Sequence, residues 1–155
     1  MENDQLWKGL LAGALAGIAA TAAKTLWEKH FPVRSESTDA PPLILANQIK
    51  KAVVQQPIQE ENESMVTSSI HWTFGTATGA AYGIASEEFP LISSGFGIPF
   101  GVSFWVGTHG SIVPLADLEP FPMEVEMNYA VNEFAGHLVY GVVLEVTRRV
   151  VRMAV

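Results

Sequence analysis

Cysteine is absent from this chain of 155 residues. Its absence removes disulfides, thiolate metal sites and a thiol nucleophile, and leaves the redox compartment open. Charge is scarce as well: Asp, Glu, Lys and Arg make up 16 %, against about 25 % in an ordinary soluble protein. Its distribution says more than its amount. Residues 9–23, 64–86 and 89–116 hold no Asp, Glu, Lys or Arg. A water-soluble helix of such length needs a charged face, and these stretches have none. Basic residues are outnumbered, and a formal net charge of −7 speaks against nucleic acid as a partner. A basic start is missing from residues 1–7, so the Gly/Leu/Ala run that follows reads as a spanning helix, not a cleaved signal. Phosphate-binding loops, His-Glu-x-x-His helices and Gly-x-Ser-x-Gly elbows are missing too, and Gly95-Phe96-Gly97 before Pro99 fails the dinucleotide fingerprint. No catalytic motif is present, and the chain reads as not an enzyme.

What is present predicts an all-α, polytopic integral membrane protein, a single domain over residues 1–155. Four transmembrane helices are expected at residues 6–27, 64–87, 92–113 and 127–147. At ~1.5 Å per residue, each is long enough for a bilayer core of ~30 Å. Trp7 and Trp27 suit the two interfaces of the first helix. The loop 28–63 is interrupted by Pro32, Pro41 and Pro42, read as helix breakers. Within it, Leu45, Ile49, Ala52 and Val53 share one side of a short amphipathic helix, 43–55, lying on the membrane or capping the bundle. Ser64 is the expected N-cap of the second helix. Pro99 should kink the third. Gly107-Thr108-His109-Gly110 permits an unwound stretch lining a cavity. Residues 114–122 are too rich in proline for helix, and the acids at 60–63 and 117–126 read as solvated loops.

Two glycine stripes, Gly9/Gly13/Gly17 and Gly75/Gly79/Gly83, have the four-residue spacing that lets helix backbones approach closely. The chemistry concentrates in the fourth helix. Glu133 and His137 are four residues apart and share a face that Tyr140 continues. With His109, His71 and Lys24 they are the candidates for a proton or cation pathway, since carboxylates attract cations and histidine can change charge near neutral pH. A second reading is a metal or haem site through His71, His109 and His137, with Glu133 as a further ligand. A third is structural: Glu133 pairs with Lys24, and the protein is a scaffold or a subunit that binds a partner. No cofactor is predicted outright. Glu145 has a simple partner set in Arg148 and Arg149. The partners expected are the lipid bilayer, protons or cations, and further copies of the chain, because 155 residues leave little room for a pore.

Glu133-Phe134-Ala135-Gly136-His137-Leu138-Val139, followed by Glu145 and Arg148-Arg149, resembles the YagU-like family of small bacterial inner-membrane proteins. Further matches are His109, Pro114 and Leu118-Glu119-Pro120; His71, Phe74, Tyr82, Glu87 and Phe89-Pro90; and Lys24, Glu28 and Pro32-Val33-Arg34. The loop between the first two helices is shorter here than in that pattern. The resemblance implies a multi-pass inner-membrane protein and supplies no reaction. Four crossings place both termini on one side, and Lys8, Arg148, Arg149 and Arg152 favour the cytoplasm for it.

Overall fold

The computed structural model describes residues 2–33, 39–54 and 58–155; Arg34 and Gln55 lie outside the described residues. Among the described residues the chain is helical, with no strand. Its elements are α1 (Glu2–His30), α2 (Pro41–Val54), α3 (Glu60–Glu88), a tight 3-10 segment (Pro90–Gly97), α4 (Ile98–Gly107), a π-helical turn (Thr108–Ile112), the short α5 (Val113–Leu115) and α6 (Met127–Ala154). α1 packs on α3 and α6, α4 packs on α6 with its Phe100 and Phe104 rings against Tyr82 and Phe74 of α3, and α2 lies on α3.

The glycine stripes explain why α1 and α3 come so close. A Cβ placed on Gly17 would stand 2.7 Å from the Gly75 carbonyl oxygen, and one on Gly79 only 2.5 Å from Gly17 Cα. Gly13 meets Gly79 and Gly83 in the same way, and Gly9 meets Gly83. The two helices run antiparallel, backbone on backbone. A second glycine contact joins α4 to α6, where Gly97 and Gly101 lie against Gly141 and the His137 carbonyl.

Several boundaries differ from the sequence expectation, and the reasons are local. α1 and α6 extend past both Trp27 and Thr147. Ser64 does not cap α3: the helix begins a turn earlier, after Gln59, and its first turn carries Glu60, Glu61 and Glu63, which suit the positive end of a helix dipole. Pro32 follows the end of α1 as a breaker would, but Pro41, Pro42 and Pro99 open helices. Pro41 and Pro42 start α2 and Pro99 stands in the first turn of α4, where a missing N–H costs nothing. The bend expected at Pro99 falls just before it, at Gly95, Phe96 and Gly97, all with positive φ. Pro114 is likewise accommodated in a helical turn. On α2, Leu43 and Ala46 are the residues buried against protein, whereas Ile49 and Val53 of the expected apolar side are exposed.

Two helical stretches, 4–30 and 90–115, are long and apolar enough to cross a membrane. α3 and α6 are as long, 29 and 28 residues, but Ser, Thr and His dilute the first, and Glu, His and Arg the second. Ser68, Ser69 and Thr73 of α3 are exposed, whereas the charged groups along the middle of α6 are turned inward. Lys24, Glu133, His137, Glu145 and Arg148 are buried, beside Ala12, Ala16 and Ala20. Leu10, Leu15, Ile18, Phe74, Val102 and Val146 are exposed. Water favours the opposite arrangement.

Candidate functional site

Polar groups gather at two opposite ends of the bundle. At one end Arg152 bonds both Gln5 near the start of α1 and Glu87 at the end of α3, so the chain's two terminal helices and α3 meet there. Hydrogen bonding to Glu87 holds the Arg152 guanidinium above its already high pKa, so this contact stays charged. Two turns deeper along α6, the fully buried Glu145 carboxylate accepts bonds from Tyr82 Oη (2.9 Å), Arg148 Nε (2.7 Å) and Arg149 Nε (2.5 Å). Arg149 also donates to the Ser93 carbonyl and lies over the Phe96 ring.

The other end holds the candidate site. Glu133, one and a half turns into α6, has its Oε2 3.2 Å from Lys24 Nζ of α1 and 3.5 Å from His109 Nε2. Lys24 is also bonded to Glu28. His137, one turn on from Glu133, directs Nδ1 to the Glu133 carbonyl oxygen at 2.8 Å, and its ring meets His109 edge-on with centroids 5.1 Å apart. The other face of His109 meets a carboxylate from the following loop, Nδ1 standing 3.3 Å from Glu119 Oε2. One ligand atom from each of His109, Glu133 and His137 lies within 4.8 Å of the others. Three such groups lying so close together could bind a metal ion.

His109 reaches this place because of two features of α4. The Gly101–His137 contact draws α4 onto α6, and the π turn beginning at Thr108 then shifts the following residues around the axis. The expected unwinding is a widening instead. Carbonyls loosened by it are met by hydroxyls: Thr108 Oγ1 bonds the Phe104 oxygen (2.7 Å) and Ser111 Oγ the Gly107 oxygen (2.6 Å). Single π turns of this kind occur often at functional sites. A small pocket opens beside the cluster, lined by Trp105, Glu119, Pro120, Pro122, Tyr129 and Glu133. Trp105 Nε1 is buried with no hydrogen-bond partner among the described residues.

A sequence profile described as "Protein of unknown function (DUF1440)" matches residues 18–146. The chain belongs to this family. No curated protein and no solved structure matches it. The DUF1440 region contains Lys24, His71, His109, Glu133 and His137, as well as Glu145, and ends before the Arg148–Arg152 contacts.

Of the five sequence candidates in this DUF1440 chain, four converge. His71 stands at the edge of the group: its Nε2 is 3.4 Å from Thr25 Oγ1, on the α1–α3 side of the bundle, near enough for Glu28, Lys24 and Glu133 to act on its charge, but outside the His109–Glu133–His137 ligand set. Trp27, expected at a membrane interface, donates its indole N–H to Asn132 Oδ1 at 2.8 Å, and Asn132 in turn donates to the Phe31 carbonyl. Glu119 is the residue that sequence reasoning missed. It stands among the acids at 117–126 read as solvated, yet its side chain is only 8 % exposed. The available signal is its neighbourhood, Leu118-Glu119-Pro120, in which a buried leucine and a proline fix the carboxylate.

Proposed function

We propose that this chain is a four-span membrane protein that binds a cation at the Glu133 end of its helix bundle. The observation that carries this reading is the convergence of Lys24, His109, Glu133 and His137, buried beside a pocket, in a protein whose outer surface is apolar. A buried carboxylate flanked by two imidazoles is suited to hold a cation, and ionisable groups inside a membrane bundle usually serve such a purpose. α3 and α6 are the two further spans; the buried charged residues of α6 would face protein, and the exposed hydroxyl residues of α3 would be the part of its surface least suited to lipid. The YagU-like resemblance supports the bacterial inner membrane as the location, with both termini cytoplasmic.

The ion-pathway reading takes a narrower form. Ala16, Ala20, Tyr140 and Leu144 are packed together with Phe100 and Phe104 between the two ionic ends. Glu133 and Glu145 are twelve residues apart on α6, about 18 Å. A single chain therefore offers a site entered from one face, and conduction would require a path between several copies. The test is equilibrium dialysis of purified protein against Na⁺, K⁺, Mg²⁺, Ca²⁺, Mn²⁺ and Zn²⁺, with Glu133→Gln beside the wild type. One cation held per chain and lost in the variant supports the reading. No retention by the folded wild type would leave a structural role, with Lys24–Glu133 as a helix-joining pair.

A further inference from the structure

We infer that the Glu133 end is a transition-metal site of the zinc class, with His109 Nε2, His137 Nε2 and a Glu133 oxygen as its three protein ligands. This rests on the cation-site reading and names the ion that the donors prefer. Two imidazole nitrogens and one carboxylate favour zinc-like ions over alkali and alkaline-earth cations, which take oxygen. Both histidines are oriented for the task. The Nδ1 of His137 is turned to the Glu133 carbonyl and that of His109 to Glu119. His137 Nδ1 thus has an acceptor for its proton, and Glu119 stands 3.3 Å from His109 Nδ1 without yet completing a hydrogen bond; a small turn of either group would complete it and leave both Nε2 lone pairs for a metal. Backbone carbonyls and carboxylates play this part behind metal-bound histidines generally.

The spacing fits as well. Ligands about 2.1 Å from a tetrahedral ion stand roughly 3.4 Å apart, and His109 Nε2 and Glu133 Oε2 are 3.5 Å apart. One ligand atom from each of the three residues lies within 4.8 Å of the other two, so a bound ion would have to draw the set somewhat closer. Three protein ligands leave a fourth position, and the pocket past Trp105 and Tyr129 supplies the way in. Lys24 is the competitor: its ammonium lies against the same Glu133 oxygen. Glu28 is also bonded to Lys24 and can keep it when a metal takes Glu133.

The test uses the full chain, purified in detergent without a histidine tag, titrated with Zn²⁺ and with Co²⁺ as a visible reporter. One equivalent should bind, and Co²⁺ should give the strong visible bands of a tetrahedral site. His109→Ala and His137→Ala should each weaken binding at least about 100-fold and remove those bands. Glu119→Gln, a positioning change, should weaken it about 10- to 100-fold and shift the bands. Lys24→Met keeps every ligand and should tighten binding about tenfold, so the inference stays testable even where a histidine variant fails to fold. His71→Ala and His30→Ala should bind as wild type does. Zinc binding that survives in a folded His109→Ala/His137→Ala double variant overturns the site. Retention of Mg²⁺, Ca²⁺ or Na⁺ through Glu133 without Zn²⁺ overturns the zinc assignment alone. Retention of no cation overturns both this inference and the cation-site reading.

Discussion

Glu145 and Glu133 are both buried carboxylates on α6, but their surroundings set them different tasks. Glu145 is enclosed by Tyr82, Arg148 and Arg149, and every partner is fixed by a helix. Glu145→Leu would leave buried Arg148 with only the more distant Glu87, 3.9 Å away, at roughly 3 kcal/mol, seen as a large loss in thermal midpoint. The double variant Glu145→Leu/Arg148→Met should recover most of that loss. Glu133→Gln differs, because Lys24 keeps Glu28; a cost of about 1 kcal/mol is expected, with the fold intact and the cation lost. That Glu133 needs a partner is legible from sequence, since a lone charge inside an apolar helix is costly, and Lys24 supplies one. Glu119 was not legible. Its loop has no periodicity, and an acid in a polar loop is solvated unless tertiary packing encloses it.

Among the elements, the α1–α3 pair depends on glycine more than on any apolar side chain. A bulky residue at Gly13 or Gly79 would meet backbone that cannot move aside. Gly13→Leu and Gly79→Leu should each cost on the order of 3 kcal/mol or more, read from thermal unfolding or from loss of a monodisperse detergent peak. Gly107→Ala is the contrast, since nothing lies within 4 Å of a Cβ there, and its midpoint should stay near wild type. The stripes were readable because their four-residue period matches a helix face. The Gly97/Gly101 contact with Gly141 was harder to read, because the other glycine of α6, Gly136, is five residues away and so on a different face, and one small residue marks no stripe. Proline misled for a related reason. Its effect depends on its distance from the helix start, and that start is set by Gly97 before α4 and by Ala40 before α2, whose carbonyl accepts the first helical bond.

Along the middle of the bundle, among the described residues, small residues and a few charged ones are inside and many large apolar groups are outside. That inversion is what a lipid solvent permits, and charge-free runs in the sequence announced it. The meeting of His109, Glu133 and His137 was only partly foreseeable, because it depends on a π turn and on helix order. Extraction should require detergent, and stripping detergent from the purified protein should precipitate it. With no native cysteine, single-cysteine labelling in sealed vesicles tests the arrangement most directly. Cysteine at Val125 in the pocket wall should react with an impermeant maleimide from one face only, and bound cation should slow it. Cysteine at Ser94, in the 3-10 segment beside α4, should react only from the opposite face, and at Leu144 from neither. Positions 94 and 125 reacting from the same face, or reaction at 144, would contradict a four-span bundle with a cation site open to one side.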